Sequence, residues 1–375
     1  MGFQGRVAQL KSSVDADMEF GAAIELDGER ALISNAAIDG GVVWFFEKVD
    51  GVWTEKLRVK GLVNEAFGYR LALGGDFAFI AAPRVGTGSV HVYRREAEAW
   101  GEVQVLVASD ALAEDFFGYS IAFDGERLAV GAPGNFLGAK RSGVYTFSRV
   151  GDSFVEDGKL AGDDPATHWF GADVGLSGDT LVVNAPPAYQ STSAGKALVY
   201  ERRTDEWELD SELMVDGEES FPQGVAIDRD TAWFDARTNE PRSVSVYAFK
   251  RTNGAWRETQ KLSFPELGES ALASWDFQDG TFAIGFWNGL RTESVQVYRG
   301  AAATGGSSNS STHGGSSSTN GGAPAAGHDA SSESSGCTFG PKGVAHGWLL
   351  AVLAFTMALR RKRRTCRQAA GACAL

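Results

Sequence analysis

"FGYSIAFDGERLAVGAP", residues 117–133, contains one complete structural unit. Phe117-Gly118 leads into an apolar–polar alternation, Asp124-Gly125 interrupts it, and Gly131-Ala132-Pro133 ends it. Alternation with a period of two is the mark of a half-buried strand. Gly in the interruption supplies the positive φ of a tight hairpin turn, and Pro cannot donate to a sheet ladder. The stretch therefore predicts a hairpin with one apolar face. A lone hairpin cannot bury that face, so the unit needs neighbours.

The neighbours are present in the chain. Phe20-Gly21 precedes "AAIELDGERALISNAA", Phe67-Gly68 precedes "YRLALGGDFAFIAAP", and Phe170-Gly171 precedes "ADVGLSGDTLVVNAP". Phe221-Pro222 precedes "QGVAIDRDTAWFDAR", and a decayed sixth copy, Leu272-Ala273, precedes "SWDFQDGTFAIGFW". Successive copies lie 47, 50, 53, 51 and 51 residues apart, the period of a propeller blade. The turns fall at Asp27-Gly28, Gly74-Gly75, Asp124-Gly125, Ser177-Gly178 and Asp279-Gly280. The fifth copy has Asp228-Arg229-Asp230, so its turn is expected to differ.

Each copy reads as four strands. The third ends on aromatics ("GVVWFF", "SVHVY", "GVYTF", "ALVY", "SVSVY", "SVQVY"), and the fourth starts at Trp53, Trp100, Phe154, Trp207 or Trp256. The fourth has a polar middle, as an outermost strand facing solvent requires. Phe of each Phe-Gly is expected between sheets, where burial is worth about 1.5–3 kcal/mol. Gly is expected to permit close backbone approach. The sixth copy lacks a fourth strand after Tyr298, whereas residues 3–10 form an orphan ahead of the first copy. The prediction is an all-β propeller of six four-stranded blades over 1–300, closed by that N-terminal strand, with seven blades as the rival count.

Phe-Gly followed about 14 residues later by Gly-Ala-Pro or Ala-Ala-Pro resembles the FG-GAP repeat. That resemblance implies the β-propeller of integrin α chains and many bacterial surface proteins. In the integrin type, a calcium loop rich in Asp and Asn separates the first two strands of some blades. This chain has only a tight turn there and no D-x-D-x-D-G run, so calcium binding is not carried over.

Charge and chemistry narrow the function further. The chain is 43% apolar and 11% aromatic, with net charge −13. Residues 301–375 hold seven Lys/Arg and two Asp/Glu, which leaves −18 on 1–300. Such a domain repels phosphates, and no nucleic-acid partner is expected. The cysteines are Cys337, Cys366 and Cys373, so the repeats hold no disulfide, Cys-ligated zinc or Cys nucleophile. No nucleophile elbow, phosphate loop or H-E-x-x-H helix occurs, and no metal, cofactor or catalytic residue is expected. His91 reads as a strand residue facing a neighbouring blade, and His168 as a loop residue near Asp163 and Asp164. Binding is the favoured role. The loops "GNFLGAKRSG" (134–143), "AYQSTSAG" (188–195) and "TNEPRS" (238–243) vary most, which nominates Phe136, Lys140, Arg141, Tyr189 and Arg242 as contacts to a protein or polysaccharide. A glycan-acting enzyme and a calcium-stabilised module are the alternatives.

Residues 301–336 are nearly all Gly, Ser, Ala, Thr and Asn, a composition that predicts a disordered linker. Residues 337–364 follow as a sorting or membrane segment. Gly343–Leu359, with Trp348 inside it, is an apolar stretch near the short limit for a spanning helix, and Arg360, Arg361, Lys362, Arg363 and Arg364 follow at once. The positive-inside rule puts that cluster in the cytoplasm and the propeller outside. Linker, single Cys, short apolar helix and Arg cluster resemble the MYXO-CTERM type of sorting tail. This implies that Cys337 is the processing or attachment position and that the protein is anchored at the cell surface or outer membrane. The extra "TCRQAAGACAL" (365–375) departs from that pattern. "MGFQGRVAQLKSS" contains no apolar signal core, so the true start is expected upstream.

Overall fold

The computed structural model describes residues 20–35, 40–134, 142–162, 169–186, 195–214, 224–239, 242–263, 271–278, 281–287 and 292–299. The expected closing strand at 3–10 and everything beyond 299 lie outside these residues. Among the described residues every element is a β-strand.

Each repeat forms one antiparallel sheet in simple chain order. The first sheet contains β1 (Ala23–Asp27), β2 (Arg30–Ser34), β3 (Val42–Val49) and β4 (Val52–Lys60). The second contains β5 (Leu71–Gly74), β6 (Phe77–Ala82), β7 (Ser89–Glu96) and β8 (Ala99–Leu106). The third contains β9 (Ser120–Phe123), β10 (Arg127–Ala132), β11 (Gly143–Val150) and β12 (Ser153–Ala161). In the fourth are β13 (Val174–Ser177), β14 (Thr180–Ala185), β15 (Lys196–Arg203) and β16 (Glu206–Leu213). In the fifth are β17 (Val225–Asp228), β18 (Thr231–Asn239), β19 (Arg242–Thr252) and β20 (Ala255–Ser263). The sixth has three described strands, β21 (Ala271–Gln278), β22 (Thr281–Trp287) and β23 (Thr292–Arg299). The first strands pack in succession, β1 on β5, β5 on β9, β9 on β13, β13 on β17 and β17 on β21. The architecture is propeller-like.

The apolar cores lie between consecutive sheets. Phe67 joins Leu32, Val43 and Phe45 of the first sheet to Leu71 and Ile80 of the second. Phe117 sits between Phe79 and Val90 on one side and Leu128 and Phe147 on the other, and Phe170 between Val144 and Leu181. These three rings are 2%, 0% and 1% exposed. The residue before each Phe, namely Ala66, Phe116 and Trp169, has φ of 56–57°, and Gly68, Gly118 and Gly171 have φ of 83–92°. A Cβ on Gly118 would also lie 2.8 Å from the Ser89 carbonyl oxygen. The Phe is thus gripped between two left-handed residues, the second of which has no room for a side chain.

Two turn expectations change. The fifth turn does not differ: Asp228 pairs with Thr231 around a two-residue loop, as Asp27 does with Arg30 and Ser177 with Thr180. Arg229 takes the left-handed position, φ 53°, where Gly28 and Gly178 stand in their sheets. Second, 238–243 is largely not a loop. β6, β10 and β14 stop at Ala82, Ala132 and Ala185, immediately before Pro83, Pro133 and Pro186. The fifth sheet has Arg237 at that place, so β18 continues and Asn239 pairs with Arg242.

Every complete sheet carries a bulge between its third and fourth strands, at Phe45/Phe46, Val92/Tyr93, Thr146/Phe147, Val199/Tyr200 and Ala248/Phe249. A bulge turns one outer-strand side chain out of the alternation. Asp157, an extra residue of this kind, accepts from Thr146 Oγ1 at 2.8 Å and from Ser148 Oγ, and from Arg202 of the fourth sheet at 3.0 Å. Related ties join other pairs of sheets. Arg95 donates to Glu47 at 2.7 and 3.1 Å, Arg251 to Glu201 at 2.5 Å, and Arg149 lies over the Phe77 ring at 4.6 Å. Arg95, Arg149, Arg202 and Arg251 occupy one repeat position, since the backbone N–H of each donates to the carbonyl of its own hairpin turn (Asp76, Glu126, Asp179 and Asp230).

Candidate binding face

Up-and-down order puts all tight turns at one end of the sheets. The opposite end receives the exits of the second strands, the starts of the third strands, and the segments joining one sheet to the next. Arg242 starts β19 at this end. Phe136, Lys140, Arg141 and Tyr189 belong to connections at the same end but lie outside the described residues, as do Cys337, Gly343, Trp348, Leu359, Arg360, Arg361, Lys362, Arg363, Arg364 and His168.

The repeat places equivalent residues together here. The residue two after each repeat Phe is Tyr69 or Tyr119 in the second and third sheets, and the third after is Arg70, Ser120 or Asp173. Tyr69 and Tyr119 meet at 5.1 Å between ring centroids, and Tyr119 meets Trp169 at 5.6 Å. The rings tilt by 49° and 56° along this three-sheet arc. The Arg70 guanidinium lies 5.0 Å over Tyr69 and donates weakly to the Tyr69 carbonyl at 3.4 Å. Arg84, just past Pro83, has an N–H that donates to the Glu65 carbonyl, and its charge acts on both tyrosines.

Asp173 closes the group. Its Oδ2 accepts from the Val225 N–H of the next sheet at 2.9 Å, and its own N–H donates to Asn184 Oδ1 at 2.6 Å. Burial raises its carboxyl to about 6; the Arg70 charge and the Val225 N–H oppose the rise, and the Asp235 carboxylate adds to it. Tyr119 is driven well above the ordinary phenol range, first by burial and then by the charge and hydrogen bond of Tyr69, against Arg70 and Arg84. Burial holds Arg84 below the usual arginine range. Arg70 and Asp173 belong to sheets separated by a third sheet. Their charges act on each other across the intervening sheet, as converging sheets at this end allow.

Two further polar arrangements lie beside this group. Ser34 Oγ donates to the Gly68 carbonyl at 2.7 Å, and Ser120 Oγ donates to the Gly171 carbonyl at 2.8 Å. Two different repeat positions thus supply the same tie, a hydroxyl on the next sheet's Phe-Gly carbonyl. Ser89 Oγ lies 3.3 Å from His91 Nε2, and His91 Nδ1 lies 3.2 Å from Glu102. Glu65 also faces Nε2 at 3.6 Å, and the imidazole stands edge-on to Phe67 at 5.2 Å. Ser89, His91 and Glu102 thus stand in the order nucleophile, base and orienting carboxylate, with the Glu65 carboxylate competing with Ser89 for the same Nε2. Among the described residues no group of three metal-binding side chains occurs.

Residues 100–147 match the FG-GAP repeat. The matched FG-GAP stretch starts in β8 and ends in β11, so it straddles two sheets: an outer strand, the Phe-Gly grip, and the first three strands of the next sheet. No curated protein matches the chain. A candidate 6-phosphogluconolactonase from Bacteroides uniformis is 12% identical, with a TM-score of 0.49 over 74% of this chain and 80% of its own. A structure from work on two prolyl endopeptidases is 11% identical, with a TM-score of 0.44 over 74% of this chain and 41% of its own, so the chain spans about two fifths of that protein.

The sequence reading missed Tyr69, Arg70, Arg84, Tyr119, Trp169 and Asp173. The signal was available as the non-uniform positions beside an otherwise uniform Phe-Gly, where "YR", "YS" and "AD" replace one another.

Proposed function

We propose that this chain is a non-enzymatic, surface-displayed propeller whose loop end binds a protein or polysaccharide. The observation that carries the reading is the arc of Tyr69, Tyr119 and Trp169 with Arg70 and Arg84, gathered from three sheets at the end where the longest connections depart. Rings offer flat apolar faces, guanidiniums offer forked donors, and a rigid sheet scaffold holds both in place. In this reading six sheets close a ring, and residues 3–10 supply the fourth strand of the sixth. Support comes from the first sheet, where Ala31, Ile33, Trp44 and Phe46 form an apolar cluster on the face turned away from the second sheet, with Trp44 0% exposed. Display follows from the tail, with Cys337 and residues 343–364 as the anchoring segment.

The test is retention of the protein on isolated cell envelope. Arg70→Ala and Trp169→Ala should reduce retention, and Arg127→Ala, at the tight-turn end, should leave it unchanged. Retention unaffected by the first two variants and by alanine changes across 135–141 and 187–194 would contradict binding at this end.

A further inference from the structure

We infer that the mouth formed by Tyr69, Arg70, Arg84, Tyr119, Trp169 and Asp173 is a subsite for a carboxylate-bearing sugar, the uronic acid unit of an acidic polysaccharide. This rests on the reading that the loop end binds ligand, and it names the ligand class.

The argument starts from the contrast with the rest of the domain. Residues 1–300 carry a net charge of −18, yet among the described residues this group brings together two arginines and one half-buried carboxylate. Beyond burial, the leading charged influences among the described residues are Arg70 and Asp235 on Asp173, and Tyr69, Asp173 and Tyr119 on Arg70. Asp235 is 0% exposed and is held by the Gly224 N–H at 2.6 Å. Asp173 is thus the only one of the two acids that reaches the mouth. Arg70 lies over the Tyr69 ring, which restrains a guanidinium of the kind that holds a carboxylate. Beside it, Tyr119 and Trp169 are half-buried rings 5.6 Å apart, aromatic surface of the kind on which a pyranose ring stacks.

Geometry favours a glycan chain over a protein surface. The group sits where the first strands of three sheets begin, at β5, β9 and β13, the strands that pack on one another from sheet to sheet. A slender polymer end reaches between these converging strands more readily than a broad protein face. Asp173 adds a condition. Its carboxyl is neutral in weak acid and charged above about 6, and a charge there opposes an anion held by Arg70. Uronate affinity should therefore fall as pH rises.

The experiment is calorimetric titration of the full chain with tetragalacturonate and with its methyl ester at pH 5.0 and 7.5. The acid should bind, and the ester at least about tenfold more weakly, the scale of one lost charged hydrogen bond. Arg70→Gln should weaken the acid by about tenfold or more without changing the ester, and Arg70→Lys should restore part of the loss. Trp169→Ala should weaken both by about two- to tenfold. Affinity for the acid should fall about three- to tenfold from pH 5.0 to 7.5, and Asp173→Asn should abolish that dependence. An unchanged melting temperature certifies the fold of each variant. Equal binding of acid and ester, indifference to Arg70→Gln, or no binding of either oligomer overturns the inference. If envelope retention still depends on the loop end in that case, binding there stands and the ligand is neutral or a protein. If retention also fails to depend on it, the broader reading falls.

Discussion

Removal of the Glu47 carboxylate tests how the sheets are held together. Glu47 is the third-strand residue of the first sheet that accepts two hydrogen bonds from Arg95 of the second, at 2.7 and 3.1 Å, and one from Trp100 Nε1 at 2.9 Å. Its side chain is 7% exposed and that of Arg95 is 26% exposed. Breaking a fully buried pair costs about 3–5 kcal/mol. Water reaches part of Arg95, which lowers that figure, and Trp100 loses its acceptor, which adds about 1 kcal/mol. Glu47→Ala should therefore destabilise by about 2–4 kcal/mol, and Glu47→Gln, which keeps an acceptor, by about 1–2 kcal/mol. The Arg95 hydrogen bonds hold the Glu47 carboxyl below the ordinary range, burial opposes this, and Trp100 and the Arg95 and Lys56 charges reinforce it. A carboxyl depressed by folding contributes its full stability above its unfolded value near 4.5, and the contribution is lost as pH falls through the folded value. Urea denaturation at pH 7 and pH 3.5 should show the gap between wild type and Glu47→Gln shrinking in acid. A double-mutant cycle with Arg95→Met should return a coupling of at least about 0.5 kcal/mol at pH 7. A loss below that for Glu47→Ala, or a gap that widens in acid, would refute the reasoning.

Three other outcomes are expected. Gly118→Ala should cost about 2 kcal/mol or more, since the residue combines φ 92° with a 2.8 Å approach to the Ser89 carbonyl; thermal melting measures it. Arg229→Gly should stabilise by about 0.5–1 kcal/mol, because its left-handed φ of 53° suits Gly; a chemical-denaturation midpoint that falls would contradict this. A fluorophosphonate probe should leave the chain unlabelled at pH 8, because the Glu65 carboxylate at 3.6 Å competes with Ser89 for His91 Nε2; labelling that disappears in Ser89→Ala would establish a nucleophile instead.

The fold was legible where its causes are local. Phe-Gly, the hairpin turns and the strand-ending prolines each act within a few residues, and they recur often enough to expose the period. Departures followed from the same local chemistry: Arg237 in place of Pro let β18 run on to pair Asn239 with Arg242, and Arg229 adopted a glycine's conformation. The ties between sheets were not legible. Glu47 and Arg95 are 48 residues apart, and nothing in either strand marks the other as its partner. The bulge that turns Asp157 toward Arg202 is likewise set by how two strands pair and leaves no mark in composition. The candidate site was illegible for a related reason. Tyr69, Tyr119 and Trp169 look like ordinary β-protein aromatics until the repeats curve and bring the same end of three sheets together.

That curvature is the central claim, and a spin-label distance tests it most directly. Nitroxides at Glu29→Cys and Gln278→Cys, with Cys337, Cys366 and Cys373 changed to serine, report on the hairpin turns of the first and sixth sheets. A closed ring makes those turns neighbours and predicts a separation of about 10–20 Å. A line of stacked sheets would give about 50 Å, and a distribution centred there would contradict the account.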